Sequence, residues 1–148
     1  SPIRLPFQSE SHYVVYALST AFFTDRDCCT DGTILRIYGW GSESSTLGFA
    51  DSLVTGEVEY IEKQTCRERH DCTDINPKAI CAGGLSSGAS LGRGDDGTPL
   101  ILKGGMEDVL IGIGFHDSAS NCRDGVSQFL RIAFFMNWIK SHVPYIQQ

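Results

Sequence analysis

Short apolar runs, each broken by turn-forming residues, recur along most of the chain. Tyr13 to Ala17 is apolar and β-branched enough for a strand. Thr24 to Gly32 is rich in Asp, Cys and Thr and reads as a surface loop. Ile34 to Tyr38 predicts a strand that ends in the corner Gly39-Trp40-Gly41. The Ser/Gly-rich stretch from Gly41 to Gly48 predicts an exposed loop. Leu53, Val54, Val58, Tyr60 and Ile61 predict the next strand, and Glu62 to Asp71 a short charged helix. Ala79 to Ala82 is a brief apolar strand closed by Gly83-Gly84. Leu85 to Gly94 reads as a flexible Ser/Gly loop. Pro99 to Leu102 and Val109 to Ile113 form a hairpin across the turn Lys103 to Asp108. Phe129 to Ile132 is the last strand. Phe134, Phe135, Trp138 and Ile139 then recur at helical spacing, so that face is expected to dock as a terminal helix that breaks near Pro144. Many short strands with one terminal helix predict a closed antiparallel barrel.

The bulk properties narrow the function. The 148 residues suffice for one domain with its own core, and neither a repeat nor a long linker divides them. A net charge of −6 argues against nucleic acid or an anionic membrane as partner. No apolar run approaches the ~20 residues of a bilayer span. No signal peptide or Asn-x-Ser/Thr sequon is visible, and the start on Ser1 predicts a processed or truncated product. Six cysteines predict an oxidising compartment. The nearness of Cys66, His70, Cys72 and Cys81 raises a zinc site, but paired C-x-x-C knuckles are absent, so no metal and no cofactor is predicted. Cys28 and Cys29 are not expected to bond each other, because adjacent residues meet disulfide geometry only with strain.

The stretch with most chemistry is Gly92-Arg93-Gly94-Asp95-Asp96-Gly97-Thr98-Pro99-Leu100-Ile101. Three glycines and a proline surround adjacent carboxylates, and a strand follows at once. Glycine allows positive φ and leaves backbone N–H groups bare. Alone, this is an acidic turn. It stands in order with Tyr38-Gly39-Trp40-Gly41, Ile80-Cys81-Ala82-Gly83-Gly84, Ile111-Gly112-Ile113-Gly114-Phe115, Cys122, Phe129-Leu130-Arg131-Ile132 and Asn137-Trp138-Ile139.

That ordered series resembles the C-terminal half of the trypsin/chymotrypsin-like serine proteases. The resemblance implies a mostly β fold: the C-terminal six-stranded antiparallel barrel of the two-barrel protease, with a C-terminal helix. It implies an inter-barrel segment at about 1–12, a barrel at about 13–132 and the helix at about 133–143. Ile3-Arg4-Leu5-Pro6 looks like the linker, with Arg4 where many members carry a cysteine. It further implies a Cys66–Cys81 disulfide across a short loop and leaves Cys28, Cys29, Cys72 and Cys122 to find other partners.

The family loop reads Gly-Asp-Ser-Gly-Gly-Pro-Leu, and here the serine position is Asp96. A carboxylate is a weak nucleophile toward amides. It would also sit beside the N–H groups of Gly94 and Asp96, the family's oxyanion hole. Two like charges ~4 Å apart repel by several kcal/mol at an effective dielectric of about 20, and losing one oxyanion donor alone costs ~3 kcal/mol. The family's catalytic histidine and aspartate fall in the half that precedes this region. His12, His70, His116 and His142 match none of the catalytic positions. Asp95 corresponds to the family residue that turns inward to pair with an activation-generated N-terminal amine. An inward Asp95 also removes the integrin-type reading of Arg93-Gly94-Asp95. In the specificity pocket, Ser90 replaces the pocket aspartate of trypsin-like members, and Phe115-His116-Asp117 replaces Ser-Trp-Gly. Gly92 stands opposite Cys122, so the family disulfide at the pocket cannot form.

The expected function is a catalytically inactive, secreted serine protease homologue that acts by binding protein, with the chain carrying the N-terminal barrel as a candidate partner. One of the four remaining cysteines is expected to bridge to that partner. The rivals are a chain of a trypsin-like endopeptidase complex with residual proteolysis, and a carbohydrate-binding or structural subunit.

Overall fold

The computed structural model of the chain describes residues 28–41, 50–84, 89–104, 108–115 and 122–142. Within them lie six strands: β1 (Ile34–Gly39), β2 (Val54–Ile61), β3 (Ala79–Gly83), β4 (Pro99–Lys103), β5 (Asp108–Gly114) and β6 (Val126–Arg131). Helix α1 (Lys63–Arg69) joins β2 to β3. A 3₁₀ turn (Ile132–Phe135) leads into helix α2 (Met136–His142). The strands close into the antiparallel barrel that the sequence predicts, and the structure gives their order as β1-β2-β3-β6-β5-β4. The expected strand from Tyr13 to Ala17 and the inter-barrel segment at about 1–12 lie outside the described residues.

Alternation decides what each strand buries. In β1, Leu35 and Ile37 face the interior, while Arg36 points out to Glu57 across a 3.4 Å ion pair. Val58, Tyr60, Ile80, Ala82, Leu100, Ile111 and Phe129 complete the barrel core, with Cys29 and Leu91 at its ends. Phe129, 1% exposed, is the bulkiest of the fully buried side chains. Its burial contributes about 2–3 kcal/mol. A second apolar cluster forms outside the barrel wall from Ile61, Cys66, Cys72, Cys81 and Val126. Strand β3 serves both: Ile80 and Ala82 face the barrel core and Cys81 the outer cluster. That explains why all five of its residues are buried. Strand β5 carries a bulge against β4, since Leu100 faces Gly112 but Ile101 faces Leu110, with Ile111 as the extra residue.

Helix α1 is short and depends on a cap from afar. Asp31 accepts hydrogen bonds from the Glu62 N–H and, at 2.7 Å, from the Thr65 hydroxyl. The first satisfies a donor that the helix leaves open. Arg67 and Arg69 in the last turn suit the negative end of the helix. Buried Cys66 fastens the helix to the barrel.

Two expectations need correction. Strand β6 begins at Val126, three positions before the predicted Phe129, because polar Gln128 is buried at 2% exposure and hides the alternation. Its side chain is satisfied: it accepts from the Asn76 N–H at 3.0 Å and donates to the Asp74 carbonyl at 2.9 Å. The terminal helix docks through Ile132 and Met136, whereas Phe134 and Trp138 are exposed at 54% and 62%. Those two rings find other partners. Lys78 lies over Phe134 at 5.1 Å, and Trp138 stacks on His142 at 4.3 Å.

Candidate functional site

The loop from Leu91 to Thr98 enters β4 after two successive turns. The Asp95 N–H donates to the Gly92 carbonyl at 3.1 Å, and the Thr98 N–H to the Asp95 carbonyl at 3.0 Å. Gly94 and Gly97 adopt φ of +91° and +85°, which a Cβ disfavours. The Gly97 N–H donates to the Gly114 carbonyl at 2.8 Å, and the Gly114 N–H to the Thr98 carbonyl at 2.7 Å, so the loop is tied to the end of β5.

This geometry sends the adjacent carboxylates to different places. Asp95 is half-buried, and its oxygens accept from the Gly41 N–H at 2.8 Å and the Gly92 N–H at 2.9 Å. Asp96 is exposed. Gly39 and Gly41 make the inward fit possible, since a Cβ at either position would collide with the Asp95 carboxylate. Above Asp95 opens a cleft of about 300 Å³. Its walls include Ile37, Val54, Thr55, Gly56, Ser90 and Thr98. Ser90 and Asp95 therefore line one cleft, bounded by the ends of β1 and β2. Phe115 follows β5 and donates its N–H to the Gln128 carbonyl at 3.5 Å. His116 and Asp117 lie outside the described residues.

The cysteines settle into three intrachain pairs. Cys66 bonds Cys81, as the resemblance implies. Cys72 bonds Cys122 and Cys28 bonds Cys29, so two expectations are corrected. Adjacent Cys28 and Cys29 do join, with Cys29 in the barrel core cluster that holds Leu35 and Tyr60 and Cys28 packed against it. No cysteine remains free to bridge to a partner chain. The sulfurs of Cys66, Cys72 and Cys81 lie within 4.8 Å of one another, yet each is held in a disulfide and is not the thiolate that a zinc ion requires.

Sequence reasoning misses what surrounds the Cys72–Cys122 bond. Residues 70–72 and 122–124 meet residue by residue in antiparallel sense. His70 Nδ1 lies 2.9 Å from the Asp124 carboxylate, Arg123 Nε pairs with Asp71 at 2.7 Å, and Cys72 bonds Cys122. The Arg123 N–H also donates to the His70 carbonyl at 2.7 Å. Asp71 and Asp124 hold positive φ of 51° and 60°, which lets both segments turn sharply at the junction. The signal lay in complementary triplets, His-Asp-Cys against Cys-Arg-Asp in reverse.

Comparison with known proteins supplies the deciding observation: the family model for Trypsin matches residues 6–139. The chain belongs to the trypsin family. Within it, the chain is 29% identical over 111 residues to the thrombin-like enzyme bhalternin of Bothrops alternatus. The match to a snake venom serine protease homolog of Bothrops jararacussu has the same identity and length. Each covers 74% of this chain and 42% of the relative. Human Kallikrein-14 is 28% identical over 114 residues, 76% of this chain and 41% of that protein. The chain thus spans less than half the length of these trypsin-family relatives.

Proposed function

We propose that the chain is a catalytically inactive serine protease homologue, a secreted module that acts by binding another protein. The observation that carries this reading is Asp96 at the position of the family's serine nucleophile. Nucleophilic catalysis there needs a hydroxyl within reach of a base, and Asp96 offers a carboxylate. Its exposure weakens the repulsion argument, because solvent screens the charge. The missing hydroxyl is the stronger ground. Ser90, Phe115, His116 and Asp117 replace the family's specificity pocket, so substrate recognition is altered as well. In this reading Asp95 serves as a structural latch, Gly94 keeps the shape of a former oxyanion loop, and residues 1–148 form the C-terminal part of the protease domain.

Three disulfides and the venom source in the relatives' names support an extracellular setting. Trp40, Leu53 and Val54, exposed at 56%, 50% and 41% near the paired ends of β1 and β2, support a protein partner at that end of the barrel.

The rival reading is a chain of an active endopeptidase complex, and the enzyme names of bhalternin and Kallikrein-14 favour it. Active-site labelling with a fluorophosphonate separates the two. The purified native protein is expected to stay unlabelled. Stoichiometric labelling of this chain would show a working nucleophile and overturn the proposal.

A further inference from the structure

Two disulfides lie side by side outside the barrel wall. Cys66, Cys72 and Cys81 are buried at 0%, 2% and 0% exposure, whereas Cys122 is only half-buried. The Cys72 sulfur is bonded to Cys122, yet it also lies 3.1 Å from the sulfur of Cys66. The Cys72 N–H donates to the Cys66 carbonyl at 3.3 Å, which fixes the two residues beside each other. Reacting atoms poised for an intramolecular step stand about 3–3.5 Å apart. The attacking species in disulfide exchange is a thiolate, and access decides which sulfur is attacked.

We propose that Cys122 is a site of S-thiolation by a small monothiol, and that its modification is relayed through Cys72 to Cys66. The monothiol loses its proton and attacks the sulfur of Cys122, the least buried of the four residues. A mixed disulfide forms on Cys122, the Cys72–Cys122 bond breaks, and its electron pair leaves on Cys72. The Cys72 thiolate, released from Cys122 and free to turn into line with the Cys66–Cys81 bond, then attacks the Cys66 sulfur, which lies 3.1 Å from it before the exchange. The Cys66–Cys72 bond forms, the Cys66–Cys81 bond breaks, and Cys81 leaves as the thiolate and takes up the proton. One thiol enters and one emerges, so no oxidant or reductant is consumed.

The relay has a structural effect. It removes the covalent pair from the junction of residues 70–72 with 122–124. What remains is the His70–Asp124 contact, the Arg123 N–H bond to the His70 carbonyl, and the Arg123–Asp71 pair, which is exposed on both sides and holds little by itself. The segment runs into Gly125, where an added Cβ would touch Ser90 at 3.4 Å, so a looser junction adjoins the wall of the cleft.

The test incubates the native full chain with millimolar reduced glutathione at mildly alkaline pH. Acid quenching, alkylation and peptide mapping by mass spectrometry follow. The expected products rise together: glutathione on Cys122, a Cys66–Cys72 cross-link and alkylated Cys81. Glutathione on Cys122 with alkylated Cys72 and an intact Cys66–Cys81 bond would overturn the relay. Complete resistance of Cys72–Cys122 would overturn the site. As a second arm, Cys122→Ser leaves Cys72 without its partner and is expected to yield Cys66–Cys72 with alkylatable Cys81 in most molecules. Retention of Cys66–Cys81 throughout the folded variant counts against the relay, and the unsubstituted chain decides the matter if the variant does not fold.

Discussion

Asp95 and Asp96 are chemically identical neighbours, and what separates them lies more than fifty residues away in sequence. Gly39 and Gly41 leave room for the Asp95 carboxylate, and Gly41 supplies one of its donors. The two carboxylates were visible in the sequence, but the direction of Asp95 came only from family resemblance, because a carboxylate carries no mark of the glycines it will meet. Gly41→Ala should therefore cost about 1–3 kcal/mol, the scale of overpacking a tight site. Denaturant unfolding measures it, and a loss within ~0.5 kcal/mol, the range of neutral surface changes, would show that the carboxylate can move aside. Asp96→Ser tests the other neighbour. It restores a hydroxyl without a base or a trypsin-like pocket, so no turnover of a peptide library is expected. Measurable hydrolysis by that single variant would reveal an intact cleft.

At the level of elements, strands were legible where one face is wet. Leu35 and Ile37 alternate with Arg36, and β1 was read correctly. Buried Gln128 broke the same rule and hid the first half of β6. The terminal helix was read correctly but its docked face was not: the spacing of Phe134, Phe135, Trp138 and Ile139 suggested burial, whereas Phe134 and Trp138 are served by Lys78 and His142 at the surface. Met136→Ala should thus cost about 2–5 kcal/mol, the usual range for a fully buried large side chain. Trp138→Ala should stay within about 0.5 kcal/mol. Reversed magnitudes in thermal unfolding would restore the face read from the sequence. The Cys66–Cys81 bond spans a sequence separation of 15. Chain entropy values such a closure at about 3 kcal/mol. The double variant Cys66→Ala/Cys81→Ala should lose about that much in a denaturant titration, and an unchanged midpoint would mean that the outer cluster holds α1 by packing alone.

For the whole molecule, the family match covers nearly the full chain, yet the chain spans 42% of bhalternin. The proposed protein partner predicts that native material sediments as a complex larger than 16.2 kDa at micromolar concentration. A monodisperse monomer there would remove the case for it. Two backbone N–H groups, of Gly41 and Gly92, serve the Asp95 oxygens. The Gly41 bond also sits at the barrel join with the fewest paired residues. β1 meets β4 through the register pairs Arg36 with Ile101 and Ile37 with Leu100, whereas β1 meets β2 from Ile34 to Gly39. Gly41 lies just beyond β1 and Asp95 just before β4, so their hydrogen bond clips the join shut from one side. Were that join to open, the barrel would become a sheet with two bare edges, each offering unpaired backbone groups to a neighbouring molecule. Damage at Asp95 would then surface as edge-to-edge aggregation of chains that still carry most of their strands.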